Sequence, residues 1–295
     1  MIIEKKISFI GGDRRFPAAA EAIAEQGAEC CIHGFDLYEG ELGMVTRCAD
    51  RESAASADAV VLPLPFSTDG VFIPCPLGSS PVRVAEVIGK MRRGQILFGG
   101  KLDGLFSAHL REKGIRVYDY YESEELCIAN AIPTAEGALA LAMNGMPITL
   151  FGANACVLGF GRIGKALSFR LALLGAHVSV AARKASDLAR IGASAMTPLP
   201  LSRLTEALPA FDVIYNTVPS LLLDGEKLKK VKKDALLIDL ASPPGGIDSE
   251  AANKLGLNSL RALSLPGKCS PVSAGRDIAK AILALLEKDG EEEKT

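Results

Sequence analysis

Three glycines and the residues between them are the most chemically loaded stretch of this 295-residue chain. Gly159, Gly161 and Gly164 stand in the spacing Gly-x-Gly-x-x-Gly, with Phe160, Arg162 and Ile163 in the gaps. An apolar run from Ala155 to Leu158 enters the triplet, and a helix-like pattern from Lys165 to Ala172 leaves it. Strand, tight turn and helix form the setting in which such a triplet binds the pyrophosphate of a dinucleotide. The first glycine permits the turn, the second lets phosphate approach the backbone, and the third lets helix and strand pack closely. Free amides at the helix start then face the negative charge. Read without a ligand, the same stretch is a tight strand-to-helix turn.

The next strand selects the nucleotide. A site for NAD places Asp or Glu at the end of that strand, against the ribose 2′-hydroxyl. Here Val178–Ala181 runs into Ala182, Arg183 and Lys184, with no carboxylate. Two cations suit a 2′-phosphate, so NADP is the expected cofactor. A later strand ends in Asn216 and then Thr217, Val218 and Pro219. Strand ends in such sheets face the ligand, so this loop is expected to touch the cofactor.

The elements that must position these groups follow from the alternation of short apolar runs and helical patterns. In the first half, strands are expected at Lys6–Ile10, Glu29–His33, Ala59–Leu62, Gln95–Phe98 and Ile115–Tyr118. Helices are expected at Pro17–Gln26, Val82–Met91 and Asp103–Lys113, with a proline-rich loop over 63–81. In the second half, strands fall at Ala153–Leu158, His177–Ala181, Val213–Asn216, Leu236–Leu240 and Ser259–Leu263. The expected fold is α/β: two doubly wound parallel-sheet domains, the second a Rossmann dinucleotide-binding domain, joined by a bridging helix. The division reads as 1–131 for a substrate and catalytic domain, 132–150 for the bridge and 151–272 for the nucleotide domain. Residues 273–295 read as a helix packing back on the first domain, ending in a frayed charged tail. Pro133 suits a helix start and sets the bridge at Ile132.

Composition narrows the functions. Acids and bases nearly balance, 35 against 33, so no nucleic acid or anionic membrane is indicated as partner. No apolar run approaches the length of a membrane span, and the first residues lead directly into a strand rather than a signal peptide. Seven cysteines without a Cys-x-x-Cys pair read as reduced thiols of a cytoplasmic protein. With three histidines and no cysteine cluster, no metal site is expected. His33, His109 and His177 form no visible dyad, which disfavours a hydroxyacid dehydrogenase of the histidine–carboxylate kind.

The chain resembles the A subunits of bacterial dipicolinate synthase over nearly its whole length. The resemblance rests on Ile10-Gly11-Gly12-Asp13 with Arg15, on Asn130-x-Ile132-Pro133-Thr134-x-Glu136-Gly137, and on Val157-Leu158-Gly159-x-Gly161-Arg162. It continues through Leu237-Ile238-Asp239-Leu240-Ala241-Ser242-x-Pro244-Gly245-Gly246 and Leu265-Pro266-Gly267-x-x-x-Pro271-x-x-Ala274-Gly275. The glycine triplet is common to many dehydrogenases, whereas the Ile-Pro-Thr-x-Glu-Gly segment and the final motif are far more selective. Ser273 stands where the family has threonine, and the 63–81 loop matches least.

The resemblance implies a sporulation enzyme of the mother-cell cytoplasm. It would convert a hydroxytetrahydro- or dihydropyridine dicarboxylate to dipicolinate with NADP as hydride acceptor. It would work with a flavoprotein-like B subunit; self-association is left open. A dianionic substrate needs cations or amide donors about one ring apart. Arg15 is then the preferred carboxylate clamp through two parallel hydrogen bonds, with Arg14 beside it. Thr134, at the expected start of the bridging helix, offers a hydroxyl and free amides to the other carboxylate. Glu136 is the preferred acid/base and Asp13 the alternate, although a carboxylate in a first helical turn also simply stabilises the helix. Asn130 either binds substrate or shapes a turn, and Lys268 meets either a carboxylate or the nicotinamide ribose. Two other readings stay open: an NADP dehydrogenase of another small acid, and a non-catalytic NADP-binding scaffold for a partner enzyme.

Overall fold

The structure, a computed structural model, describes residues 5–292. It divides into two units: residues up to Asn130 together with Ser270 onward, and Ala131–Cys269.

The first unit holds β1 (Lys6–Ile10), β2 (Glu29–His33), β3 (Thr46–Arg47), β4 (Ala59–Val61), the short pair β5 (Phe72–Ile73) and β6 (Val82–Arg83), β7 (Ile96–Gly99) and β8 (Arg116–Asp119). Its helices are α1 (Arg15–Ala24), α2 (Arg51–Ala55), α3 (Val84–Ile88), α4 (Gly104–Glu112) and the start of α5 (Glu124–Gly145). The second unit holds β9 (Asn154–Leu158), β10 (His177–Ala182), β11 (Thr197–Pro200), β12 (Val213–Asn216), β13 (Leu236–Asp239) and β14 (Asn258–Arg261). Among them lie α6 (Arg162–Leu173), α7 (Ala185–Ala193), α8 (Leu204–Ala207), α9 (Gly225–Leu228), α10 (Ser249–Lys254) and α11 (Leu265–Cys269). The last helix, α12 (Pro271–Glu292), returns to the first unit.

Both sheets are parallel and share one strand plan. The first runs β3-β2-β1-β4-β7-β8 and the second β11-β10-β9-β12-β13-β14. In each, the chain starts at the centre, works outward on one side, and then crosses to the other. The order reverses between β1 and β4, and between β9 and β12, and ligands bind beyond the carboxyl ends of strands at such reversals. Central strands are buried on both faces and so read as continuous apolar runs, as in Ala59–Val61 and Leu236–Ile238.

The outline expected from sequence stands, with corrections. Val82 and Arg83 are not helical but pair with Ile73 and Phe72, inside what was expected to be loop and helix. The turn before them is held by Asp69, whose carboxylate accepts from the amides of Val71 and Phe72. β11 was not expected because it carries two prolines, and it is tolerated at the sheet edge, where one side of the strand donates to no neighbour.

The largest correction is the bridging helix, which begins at Glu124 rather than Ile132 and leaves Pro133 inside. Ser123 caps it by accepting from the Leu126 amide at 3.2 Å. Proline removes one ladder bond at the Ala129 carbonyl, yet the buried stripe Cys127, Ala131, Ala135, Ala138, Ala142 continues through it at helical spacing. This helix has the length and apolar composition of a membrane span, but 56% of its most apolar window is buried inside the protein.

The tail is a further correction. Helix α12 runs to Glu292, and Asp289 is buried, accepting from Arg116 at 2.7 Å and from the Tyr118 hydroxyl at 2.8 Å. The last three residues lie outside the described part.

Candidate functional site

The glycine turn separates into three roles. Gly159 has φ +98°, and a Cβ there would stand 2.6 Å from Thr217 Oγ1 and 2.7 Å from Val218 Cγ2. A Cβ on Gly164 would collide with the Gly159 carbonyl oxygen. Those two glycines are therefore required by the chain's own packing. Gly161 differs. It caps α6 in an extended conformation, φ −78°, and a Cβ there would meet no protein atom within 4 Å. No side chain caps the helix at this end, so its first amides are left for water or a ligand. Phe160 is buried beneath the turn with the Lys165 ammonium 5.5 Å from its ring centre. Ile163 packs on the core, and Arg162 is exposed in the first turn of α6.

The loop after β12 is brought against this turn, as expected. Thr217 and Val218 are half-buried beside Gly159, and Pro219 is exposed. Sequence reasoning missed what holds the loop. Asn216 and Asp239 are register partners on β12 and β13, both buried, joined by a 2.7 Å hydrogen bond from Asn216 Nδ2. Asn216 also donates to the Val218 carbonyl, and Asp239 accepts from the amides of Ala241 and Gly246. Two strand-end loops are thus tied to one buried carboxylate. Polar residues at neighbouring strand ends were the available signal.

Arg183 follows β10 directly and Lys184 caps α7; both are exposed, and neither has a carboxylate partner among the described residues. The nearby Asp187 is taken by Arg190 at 3.7 Å. The open space over Gly161 and the uncapped helix start form a site that fits the pyrophosphate of a dinucleotide, with these two cations at the end of the adjacent strand.

In the first unit, the reversal between β1 and β4 is occupied by Arg15. It is only 6% exposed. Its Nε donates to Asp13 Oδ1 at 2.8 Å and its Nη2 to the Leu64 carbonyl, beyond β4, at 3.2 Å. Tyr120 is fully buried and donates to the Leu62 carbonyl at 2.9 Å, and burial pushes its phenol well above the ordinary range. The Arg15 guanidinium is therefore aimed by both strand ends, while Nη1 and Asp13 Oδ2 make no hydrogen bond to the described residues. Arg14 parts from it. It is exposed and lines an open cavity of about 660 Å³ with Glu21, Glu25, Tyr38 and Arg276.

The remaining expectations scatter. Thr134 is buried in the third turn of α5, so no free helix-start amides stand beside it. Asn130 is half-buried in the same helix rather than in a turn, and both residues are engaged by other groups. Glu136 is not in a first turn either. It is exposed and pairs with Arg170 at 3.5 Å, eight residues beyond the start of α6 and thus about 12 Å along the helix from the glycine turn. Lys268 is exposed on α11, which replaces the expected loop.

Lys101 was missed. It follows β7 at the same sheet edge as Arg15, with φ +58°, and its ammonium lies 5.3 Å from the Tyr121 ring centre. The Asp119 carboxylate fixes this strained backbone by accepting from the Lys101 and Leu102 amides.

His177 begins β10, at the opposite end of the sheet from the glycine turn. Burial and the Arg51 guanidinium hold the His33 imidazole below its ordinary pKa. All seven cysteines are free, and burial raises the Cys156 thiol. No group of three metal-binding side chains occurs among the described residues.

Comparison with known proteins agrees with this layout. Residues 6–121 match the family described as the N-terminal domain of the dipicolinate synthase A subunit. Residues 135–252 match the D-isomer specific 2-hydroxyacid dehydrogenase NAD binding domain. The A subunit of dipicolinate synthase from Bacillus subtilis strain 168 is 32% identical over 288 residues, 97% of each chain. The crystal structure of the A subunit from Bacillus halodurans superposes with a TM-score of 0.85 at 31% identity, covering 97% of this chain and 99% of the other. A transhydrogenase from Sinorhizobium meliloti shares the fold, with a TM-score of 0.70 at 16% identity over 96% of this chain and 92% of its own.

Proposed function

The chain belongs to the family of dipicolinate synthase A subunits, and from that premise we propose that it is the NADP-dependent component that forms dipicolinate from a dihydro- or hydroxytetrahydropyridine dicarboxylate. Its class is that of an oxidoreductase with a nicotinamide-dinucleotide domain. The finer reading adds the phosphorylated cofactor, the cyclic dianion, a flavoprotein-like B subunit and the mother-cell cytoplasm.

The observation that carries the cofactor assignment is the space over Gly161, which no protein atom claims. Bound there, NADP⁺ supplies a two-electron acceptor for hydride. The amides from Gly161 to Gly164 hold the pyrophosphate, Arg183 and Lys184 take the 2′-phosphate, and Thr217–Pro219 line the turn.

On the substrate side, Arg15 grips one carboxylate through the guanidinium edge left by Asp13 and Leu64. Lys101 is the cation at that sheet edge available for the other carboxylate, whereas Arg14 faces the separate cavity beside Glu21 and Glu25. The hydroxytetrahydropyridine first loses water to give the dihydropyridine, and aromatisation of that ring then releases one proton in addition to the hydride. Asp13 is preferred over Glu136 as its acceptor, because Asp13 Oδ2 is unengaged and Glu136 is paired with Arg170. Asn130 and Thr134, both engaged within the protein, and Lys268 on α11 are given no contact with the substrate in this reading.

The test is an NADP-reduction assay with freshly generated hydroxytetrahydropyridine dicarboxylate, run with and without the flavoprotein. NADPH formation by the chain alone is the expected result. Reduction driven only by a different small acid replaces the substrate assignment. Activity that depends wholly on the partner, with NADPH still bound by this chain, leaves a scaffold role instead.

A further inference from the structure

Three residues other than glycine have a positive φ among the described residues: Lys101, Ala195 and Ser264. Lys101 alone of them carries a long charged side chain. Glycine adopts this conformation freely, and two glycines directly precede Lys101. Gly100 is required for another reason, because a Cβ there would stand 2.6 Å from Leu64 Cδ1 and 3.0 Å from the Tyr120 ring. Packing therefore accounts for that glycine and not for the lysine, which is exposed. The strained backbone is held by Asp119 at the end of β8. Its carboxylate accepts from the amides of Lys101 at 3.1 Å, Leu102 at 2.7 Å and Tyr121 at 2.8 Å. One acid thus fixes both the residue that bears the ammonium and the residue whose ring centre lies 5.3 Å from it. That carboxylate is occupied by backbone, and no ion pair joins Lys101 to an acid among the described residues.

We propose that Lys101 is the specificity-determining cation, which selects a ring bearing a second carboxylate over a ring bearing one, and that Asp119 is its positioning residue. This rests on the reading of Arg15 as the clamp for the first carboxylate. The two cations flank one strand: Arg15 follows β1 and Lys101 follows β7, on either side of β4. Arg15 Nη2 donates to the Leu64 carbonyl. Gly100 brackets the same residue, its amide donating to the Pro63 carbonyl at 3.2 Å and its carbonyl accepting from the Phe66 amide at 2.9 Å. Strands two places apart in a sheet lie ~10 Å from each other. A six-membered ring with carboxylates at its 2- and 6-positions, with a hydrogen bond at either end, spans a similar ~10 Å. A ring with one carboxylate reaches Arg15 and leaves Lys101 unmet. The Tyr121 ring steadies the ammonium without neutralising it, which leaves its charge for an incoming anion.

The test is calorimetric titration of the full chain, saturated with NADP, using two probes: pyridine-2,6-dicarboxylate and pyridine-2-carboxylate. Wild type is expected to bind the dicarboxylate more tightly. Lys101→Met should weaken the dicarboxylate by ~10–100-fold and leave the monocarboxylate unchanged. Lys101→Gly should do the same while melting no lower than wild type, because glycine relieves the backbone. That arm stands even if the methionine variant misfolds. Lys101→Arg should retain most of the preference. Asp119→Asn should reduce the preference, leave the monocarboxylate unchanged, and cost nothing further when combined with Lys101→Gly, since both act through one ammonium. A wild type without preference, or an unchanged preference in Lys101→Gly, overturns the inference and leaves the Arg15 clamp standing. An equal loss for both acids in Asp119→Asn overturns its positioning role. A wild type that binds neither acid overturns the inference together with the substrate assignment beneath it.

Discussion

Thr217 donates twice to one oxygen: its amide and its hydroxyl both reach the Leu158 carbonyl, at 3.0 and 2.8 Å. The last residue of β9 is thereby bound to the first residue after β12, and the glycine turn begins at the next position. The loop and the turn are held as one body before any ligand arrives, so little ordering cost remains for binding.

Gly161→Ala is expected to fold with unchanged stability and to lose dinucleotide binding. Its φ suits any residue and its Cβ meets no protein atom, so only the ligand is displaced. Gly164→Ala should behave oppositely in denaturation, because its methyl collides with the Gly159 carbonyl and costs ~1–3 kcal/mol. Urea unfolding together with NADPH fluorescence titration separates the two cases.

Replacing Arg183 and Lys184 by Ala should weaken NADPH binding by ~10–100-fold, as expected for charge-assisted bonds worth ~1.5–3 kcal/mol, and leave NADH binding unchanged. Calorimetric titration with both nucleotides checks this. An equal loss for both would mean that the two cations do not read the 2′-phosphate.

Arg15→Ala should raise the substrate KM by ~10–100-fold with the NADPH dissociation constant unchanged. It should also lower stability by ~1–3 kcal/mol, since Asp13 and the Leu64 carbonyl lose a buried donor. Steady-state kinetics at saturating NADP, beside a denaturation curve, distinguishes the contributions. An unchanged KM removes Arg15 from the site.

Asp289→Ala should destabilise the first unit by ~1–3 kcal/mol, because Arg116 and Tyr118 lose their common acceptor. Hydrogen exchange should then rise in β8 as well as in the last turns of α12. A frayed tail would show no such effect.

Asp212 carries a pH dependence. Burial alone would raise its carboxyl, but the Lys232 ammonium at 2.6 Å and the Asn154 amide outweigh burial and hold it below the usual range. A lowered folded-state pKa contributes stability above the unfolded value of about 4 and loses it as the pH falls through the folded value. Thermal melts of wild type should therefore decline more steeply with acid than those of Asp212→Asn. The gap is under ~1 kcal/mol for a partly exposed pair.

Much of this was legible in the sequence because it depends on local pattern. The glycine spacing, the alternation of strands and helices, and the absence of a carboxylate after β10 are all short-range signals. Helix α5 shows where local signals mislead. Pro133 is the strongest helix-start residue in its stretch, yet the stripe from Cys127 to Ala142 and the Ser123-Glu124-Glu125 start outweigh it. Periodicity carried across the proline would have found the helix. Asn216–Asp239, Arg15–Leu64 and the strained Lys101 were hidden for another reason. Each joins residues from different strand ends, and only the folded sheet brings them together.

The two sheets repeat one strand order, yet the residues after the opening strand of each are suited to opposite tasks. After β9 the chain leaves vacant room above Gly161. After β1 the corresponding region is filled: the Phe16 ring lies over Gly12, and an aspartate stands where a phosphate would be repelled. A single scaffold thus carries two unlike turns, one open and one filled, and the difference is written in a few residues. Exchanging those turns between the halves would ask whether the remaining framework has any preference of its own.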